Sequence, residues 1–195
     1  MSRTPSNLNE RLNMALTRMT SKELLNNEGI GNEIGFYIFD YPPEQELKVR
    51  HWLTDILPSF LERTRPDLNV LVLNLFELVV TYLEERKILA QAFDMQKKRG
   101  NDALARALSG PLNETRLCDY LVRKHTPEKY NLVLMHGVGE CWPILRSHAI
   151  LNNLHSRMGF TPLVMFYPGS YNTQALSLFG RLPASNYYRA FRLVS

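Results

Sequence analysis

The stretch that follows the apolar run LVLM at positions 132–135 holds residue types that could do chemistry. It contains His136, Gly137, Gly139, Glu140 and Cys141. In many α/β proteins a buried strand, a glycine turn and a helix follow one another, and their junction binds a phosphate or holds a nucleophile. We therefore compared this stretch with the motifs that carry such chemistry.

Two nucleotide-binding motifs are incomplete in this stretch. The G-x-x-x-x-G-K-[ST] loop needs a lysine and a hydroxyl side chain, and neither is present. The G-x-G-x-x-G fingerprint fails at its third glycine, where Trp142 stands. Glu140 would also place a negative charge near the expected helix N-terminus, which repels phosphate. A degenerate nucleotide sensor that uses His136, Gly137, Gly139 and Glu140 stays open as an alternative.

The thiol and imidazole groups do not form a convincing catalytic or metal set. Cys141 lies beside Glu140, which opposes thiolate formation, so we expect a buried structural thiol. His136, Cys141, His148 and His155 are 5, 7 and 7 positions apart, unlike the short pairs that bind zinc. On one helix the last two would be about 10 Å apart. We predict no metal, no cofactor and no enzymatic activity.

The C-terminal part of the chain is free of carboxylates and rich in arginine and tyrosine. No Asp or Glu follows Glu140, while the net charge is +4 and the pI about 9.1. Tyrosine and arginine are favoured anchors of protein interfaces and also suit single-stranded nucleic acid. Without a dense basic stripe, the pattern favours protein contact. The predicted partner-binding residues are Arg181, Tyr187, Tyr188, Arg189 and Arg192.

Length and composition indicate one α/β domain that spans residues 1–195. Helices are expected within residues 1–30, and a helical insertion at about 84–125, broken at Gly110. No stretch reaches the roughly 20 apolar residues of a membrane span, and the N-terminus has no export signal. We therefore expect a cytoplasmic protein with reduced thiols and no membrane partner.

Apolar patterning predicts a mostly parallel sheet of about four to five strands with helices on both faces. The strands are expected at 34–39, 69–74, 130–135, 162–167 and 187–194, the fourth ending at Pro168 and Gly169. Asn74 and Glu77 resemble a capping box that opens a helix. Another helix is expected at 44–63, with a kink or interruption at Pro58 and an inward face of Leu47, Trp52, Ile56, Phe60 and Leu61. A further helix is expected from about Trp142 to 158.

Four phrases together resemble the BrxB family of bacterial BREX phage-exclusion systems. They are NVLVLNLFELV (69–79), LVLMHGVGECWPILRSHAILNNL (132–154), PLVMFYPGSYNTQALSLFGRL (162–182) and NYYRAFRLV (186–194). The resemblance covers essentially the whole chain. It implies an accessory component of antiviral defence that works with a methyltransferase, a large ATPase and a PglZ-type protein.

The resemblance brings no established catalytic residues, in agreement with the incomplete motifs. We therefore expect a non-catalytic adaptor subunit that binds other BREX proteins, with the PglZ-type protein first among them. A nucleic-acid-binding subunit is the alternative that the basic pI favours.

Overall fold

The computed structural model describes residues 7–28, 35–182 and 190–194, and within them a parallel sheet lies between two layers of helices. Its strands are β1 (Phe36–Tyr41), β2 (Val70–Asn74), β3 (Leu132–His136), β4 (Leu163–Tyr171), β5 (Leu176–Leu178) and β6 (Phe191–Arg192). The spatial order is β2-β3-β4-β1-β6, and all of these neighbours are parallel. The predicted α/β class with a mostly parallel sheet is confirmed.

The helices divide between the two faces of the sheet. They are α1 (Leu8–Met19), α2 (Lys22–Leu25), α3 (Glu46–His51), α4 (Leu57–Thr64), α5 (Leu75–Glu85), α6 (Leu89–Leu108), α7 (Glu114–His125) and α8 (Ser147–His155). The first four pack on one face and the last four lie on the other. This division follows the order of the elements along the chain. Helices α3 and α4 connect β1 to β2, and the later helices connect β2 to β3 and β3 to β4.

Alternation along the strands assigns their side chains to the two faces, as the two-residue period of a strand requires. Tyr37, Phe39 and Tyr41 of β1 join the core under α1, α3 and α4. Phe36 and Ile38 join the core under α5, α7 and α8. Because both faces are covered, β1 and β3 are buried along their whole length.

The segment between β1 and β2 contains four helical pieces, where a helix kinked at Pro58 was expected at 44–63. They are a 3-10 turn (Pro43–Gln45), α3, a π-helical turn and α4. A π-helical turn, Trp52–Ile56, separates α3 from α4, and Pro58 stands in the first turn of α4. Proline lacks the N–H that an unbroken α-helix would use, which accounts for the interruption here. The predicted inward positions of Trp52 and Leu61 are confirmed, whereas those of Leu47 and Ile56 are wrong, since these two are 74% and 48% exposed. The π turn and the break shift which positions face the sheet.

Helix α6 is the part of the helical block that stands away from the core. Of its residues only Leu108 is buried, and the backbone breaks at Gly100, where φ is +77°. In contrast, α7 packs on α8, and Tyr120 of α7 meets Tyr82 of α5 edge-on at 5.0 Å. The break expected at Gly110 lies between α6 and α7.

The β4 strand does not end at Pro168 and Gly169 as expected, but continues to Tyr171 and turns back as β5. Gly169 pairs with Leu178, and a Cβ on Gly169 would collide with the carbonyl oxygen of Ser177. Glycine therefore permits the close approach of the two strands.

In the described ranges, no helix combines the length and apolar character that a membrane crossing requires.

Candidate functional site

The carboxyl ends of the parallel strands bring the predicted loop residues to one edge of the sheet. His136 ends β3 directly beside Asn74, which ends β2. The Asn74 side chain accepts hydrogen bonds from the N–H groups of Phe76 and Glu77, at 2.9 and 3.3 Å. This confirms the predicted cap of α5, and it places a polar group against the glycine loop.

Gly137 is held in a backbone conformation that glycine alone adopts readily. Its φ is +72°, and a Cβ at this position would collide with the Asn74 side chain. The glycine therefore serves the turn and the close approach of the helix cap. Gly139 has a different neighbour, because a Cβ there would stand 3.0 Å from the Phe179 ring and from Pro168.

The helix expected from Trp142 begins later, at Ser147. Residues Gly139–Cys141 form a single 3-10 turn, Trp142 is extended, and Pro143 follows it. Proline supplies no N–H, and the residue before a proline is disfavoured in the α conformation, so no α-helix starts at the loop. The sequence had suggested that Glu140 lies near a helix N-terminus, and this expectation is wrong.

Glu140 instead forms an ion pair with Arg50 of α3. The same guanidinium lies 3.5 Å from Glu46, and Glu46 accepts a hydrogen bond of 2.7 Å from the Tyr41 hydroxyl. Burial and the neighbouring Glu46 carboxylate raise the pKa of Tyr41, so its hydroxyl keeps its proton. These groups form a continuous polar chain from β1 to the loop after β3.

His136 is neutral and lacks a hydrogen-bond partner at one ring nitrogen. Burial lowers its pKa to about 4, with a smaller contribution from the Arg50 guanidinium. Nδ1 of His136, Nε of Arg50 and Oε1 of Gln45 are buried, and none of them has a partner among the described residues. Unpaired buried polar atoms cost free energy, which marks this edge as unusual within the fold.

Both thiols are protonated and buried, as expected for structural cysteines. Burial raises the pKa of Cys118 and of Cys141 to about 12. The Cys141 thiol donates to the carbonyl of Gly137 at 3.6 Å, and the Cys118 thiol donates to that of Ile150 at 3.7 Å. A thiol with so high a pKa is a poor nucleophile at neutral pH.

The described residues contain no group of three or more His, Cys, Asp or Glu side chains that could hold a metal ion. His155 packs edge-on against the Phe36 ring at 5.6 Å, on the face of the sheet opposite to His136. The four residues considered for zinc are therefore not brought together.

A second cluster of ion pairs connects α1 and β6 to β1. The Asp40 carboxylate lies 2.9 Å from Arg11 and 3.5 Å from Arg192, and it accepts from the Tyr171 N–H at 2.9 Å. Arg192, one of the predicted partner-binding residues, is thus engaged within the fold. Arg181 is exposed after β5. Tyr187, Tyr188 and Arg189 lie outside the described residues, so that surface stays a prediction.

Sequence reasoning missed Arg50 and Glu46 as members of the edge, although Tyr41 was expected there at the end of its strand. The spacing of Glu46 and Arg50, four residues apart on a helix, was a readable signal for a pair. The contact of Arg50 with Glu140 could not be read from the sequence, because it joins segments that are distant in the chain. Among the described residues beside the glycine loop, the Arg50 guanidinium lies between the Glu46 and Glu140 carboxylates, so a phosphate group at this loop would meet more negative than positive charge.

The fold and this edge define a parallel α/β protein whose strand-end loop is closed by an ion pair. A family model described as BREX protein BrxB matches residues 71–193. A BREX protein BrxB of Escherichia coli O9:H4 (strain HS) is 40% identical over 187 residues, covering 96% of this chain and 92% of that protein. One of Bacillus cereus (strain H3081.97) is 41% identical over 191 residues, covering 96% and 97%. No solved structure matches the chain. The chain belongs to the BrxB family of BREX proteins.

Proposed function

We propose that this chain is a non-catalytic adaptor subunit of a BREX phage-defence assembly and that it binds the PglZ-type protein of the same system. The ion pair of Arg50 with Glu140 carries the proposal. It neutralises the cation that a phosphate-binding edge would need, and it occupies the carboxylate that could act as a general base.

The other groups at the edge support a role in binding rather than catalysis. His136 is neutral but buried, and the Cys141 thiol is protonated and inward-facing. Within the described ranges, neither group has the accessible partner that nucleophilic or acid–base chemistry requires. The family membership supplies the class of partner, namely other BREX proteins.

Pairwise co-expression tests the proposal. The tagged full chain would be produced with the PglZ-type protein, the methyltransferase or the large ATPase of its own system, and each lysate would be passed over the same affinity resin. We expect the PglZ-type protein to co-purify in a fixed ratio. Failure of all three to co-purify would contradict the adaptor function.

A nucleic-acid-binding subunit is a second candidate, which one surface feature favours. Lys97, Lys98 and Arg99 are consecutive and exposed on α6, next to the break at Gly100. Phosphate contacts from such residues would make affinity fall steeply as salt rises. A titration of labelled single- and double-stranded DNA at two salt concentrations distinguishes this candidate, since an adaptor binds neither with appreciable affinity.

The nucleotide-sensor alternative that uses His136, Gly137, Gly139 and Glu140 has a simple test. Thermal unfolding would be measured with and without ATP, GTP and their diphosphates, with Mg²⁺ present. A ligand that binds only the folded state raises the unfolding midpoint. The adaptor function predicts no shift with any of these nucleotides.

A further inference from the structure

Three residues with exposed aromatic side chains adjoin the glycine loop at the carboxyl edge of the sheet. They are Phe76, Trp142 and Phe179, and we call them together with Glu140 the edge surface. Phe76 follows the Asn74 cap, whose side chain abuts Gly137. The Phe179 ring lies against Gly139, and the N–H of Trp142 donates to the Gly139 carbonyl at 3.3 Å. The three residues thus adjoin one loop.

The backbone of Phe179, a residue of the edge surface, has an unfavourable conformation. Its φ is +56°, in the left-handed region that a bulky residue rarely adopts. Glycine follows it at 180, also with positive φ. Strained residues of this kind persist where the surrounding structure uses the side chain, often at binding sites. The ring stays partly exposed over Gly139 and Pro168 rather than entering the core.

The polar groups beside these rings are complementary to a cation. Glu46 and Glu140 carry two negative charges against the single positive charge of Arg50, and His136 is neutral. Oε1 of Gln45 adds a buried acceptor that lacks a partner among the described residues. Trp142, two residues from Glu140, is 44% exposed and offers the face that binds cations best.

From this combination we infer that the edge surface is where a partner protein docks, by means of an arginine that stacks on Trp142 and pairs with Glu140. Apolar side chains on either side of that arginine cover Phe76 and Phe179. The inference rests on the proposed adaptor function and names the contact chemistry of its partner. Arginine suits the site because its guanidinium binds a carboxylate and an aromatic face together.

Affinity measurements on edge variants test the inference with the full chain and the purified PglZ-type protein of its system. Trp142→Ala and Phe179→Gly remove rings, and the glycine also relieves the positive φ, so the fold is retained. Central aromatic anchors contribute strongly to binding, so we expect each variant to weaken affinity by about 30-fold or more. Glu140→Gln should weaken it by about 10-fold, with a reduced dependence on salt.

Matched controls come from the opposite edge of the sheet. Phe160 is 87% exposed just before β4, and Glu62 is exposed near the end of α4. Phe160→Ala and Glu62→Gln should bind like the wild type, and thermal unfolding would verify that every variant is folded. If the wild type binds while folded edge variants bind equally well, the edge surface is wrong and the adaptor function stands. If the wild type binds no BREX protein, both fail together.

Discussion

Arg50 of α3 forms an ion pair with Glu140 in the loop after β3, and this contact joins the two polar halves of the carboxyl edge. The pair holds the glycine loop against the helix that follows β1. The Arg50 guanidinium cannot bind a phosphate without weakening this pair. The edge is therefore suited to contact with a partner surface rather than to nucleotide binding.

Replacing Gly137 by alanine should destabilise the protein strongly. The change forces a side chain into a left-handed conformation and against the Asn74 cap, so we expect a loss of about 2–4 kcal/mol. Urea unfolding followed by circular dichroism measures the difference. Gly110→Ala is the control, because its Cβ would stand in open space, and it should change stability by less than about 0.5 kcal/mol.

His136 should make the stability of the fold depend on pH in a defined window. The folded imidazole stays neutral down to about pH 4, whereas in the unfolded chain it gains a proton below about pH 6.5. The unfolded state then binds more protons, so stability falls as the pH falls from 6.5 to 4. The loss is up to about 3 kcal/mol.

Urea unfolding at several pH values compares the wild type with His136→Gln, which should show a shallower loss across this window. His155→Gln serves as a control because His155 is exposed, and it should keep the wild-type slope. An equal slope for all three proteins would show that His136 is protonated alike in the folded and unfolded states.

Asp40→Ala should be among the most damaging single changes at the edge. It removes the acceptor of the Tyr171 N–H and leaves Arg11 and Arg192 without their carboxylate. Losing one partner of a largely buried ionic network costs about 3 kcal/mol. Chemical unfolding measures this, and Asp67→Ala, which breaks an exposed pair with Arg65, should leave the midpoint almost unchanged. Equal effects of the two changes would contradict the structural role of Asp40.

Both cysteines should be unreactive in the folded protein. With pKa values raised to about 12, Cys118 and Cys141 hold little thiolate at pH 8. Reaction with an aromatic disulfide reagent should be about a thousandfold slower than after unfolding in guanidinium. A thiol that reacts in the native state at the rate of free cysteine would reopen a nucleophilic role.

The strands and the class of fold could be predicted from the sequence because the apolar runs of β2, β3 and β4 are continuous and separated by helical patterns. The Asn74 cap was also readable, since capping depends on residues close together in the chain. The start of α8 was misplaced because apolar spacing outweighed the local effect of Pro143. The inward assignment of Ile56 failed because the π turn changes the helical period and buries Leu57 in its place, whereas Leu47 lies nearly opposite the buried Val49 within α3.

The candidate site was only half visible in the sequence. His136 and the two loop glycines stood out because they follow a strand, whereas Arg50 reaches Glu140 through the packing of α3 on the sheet. The positive φ of Phe179 left no sequence signal either, as glycine rather than phenylalanine is expected there. Such features arise from tertiary structure, which outweighs local preference.

Size-exclusion chromatography with light scattering tests the adaptor function most directly. The tagged chain would be purified with the PglZ-type protein of its system, treated with nuclease, and run at moderate and at high salt. The adaptor function predicts one complex whose mass is the sum of the two chains in a fixed ratio, unchanged by nuclease or salt. A chain that elutes alone, or only together with nucleic acid, would contradict it.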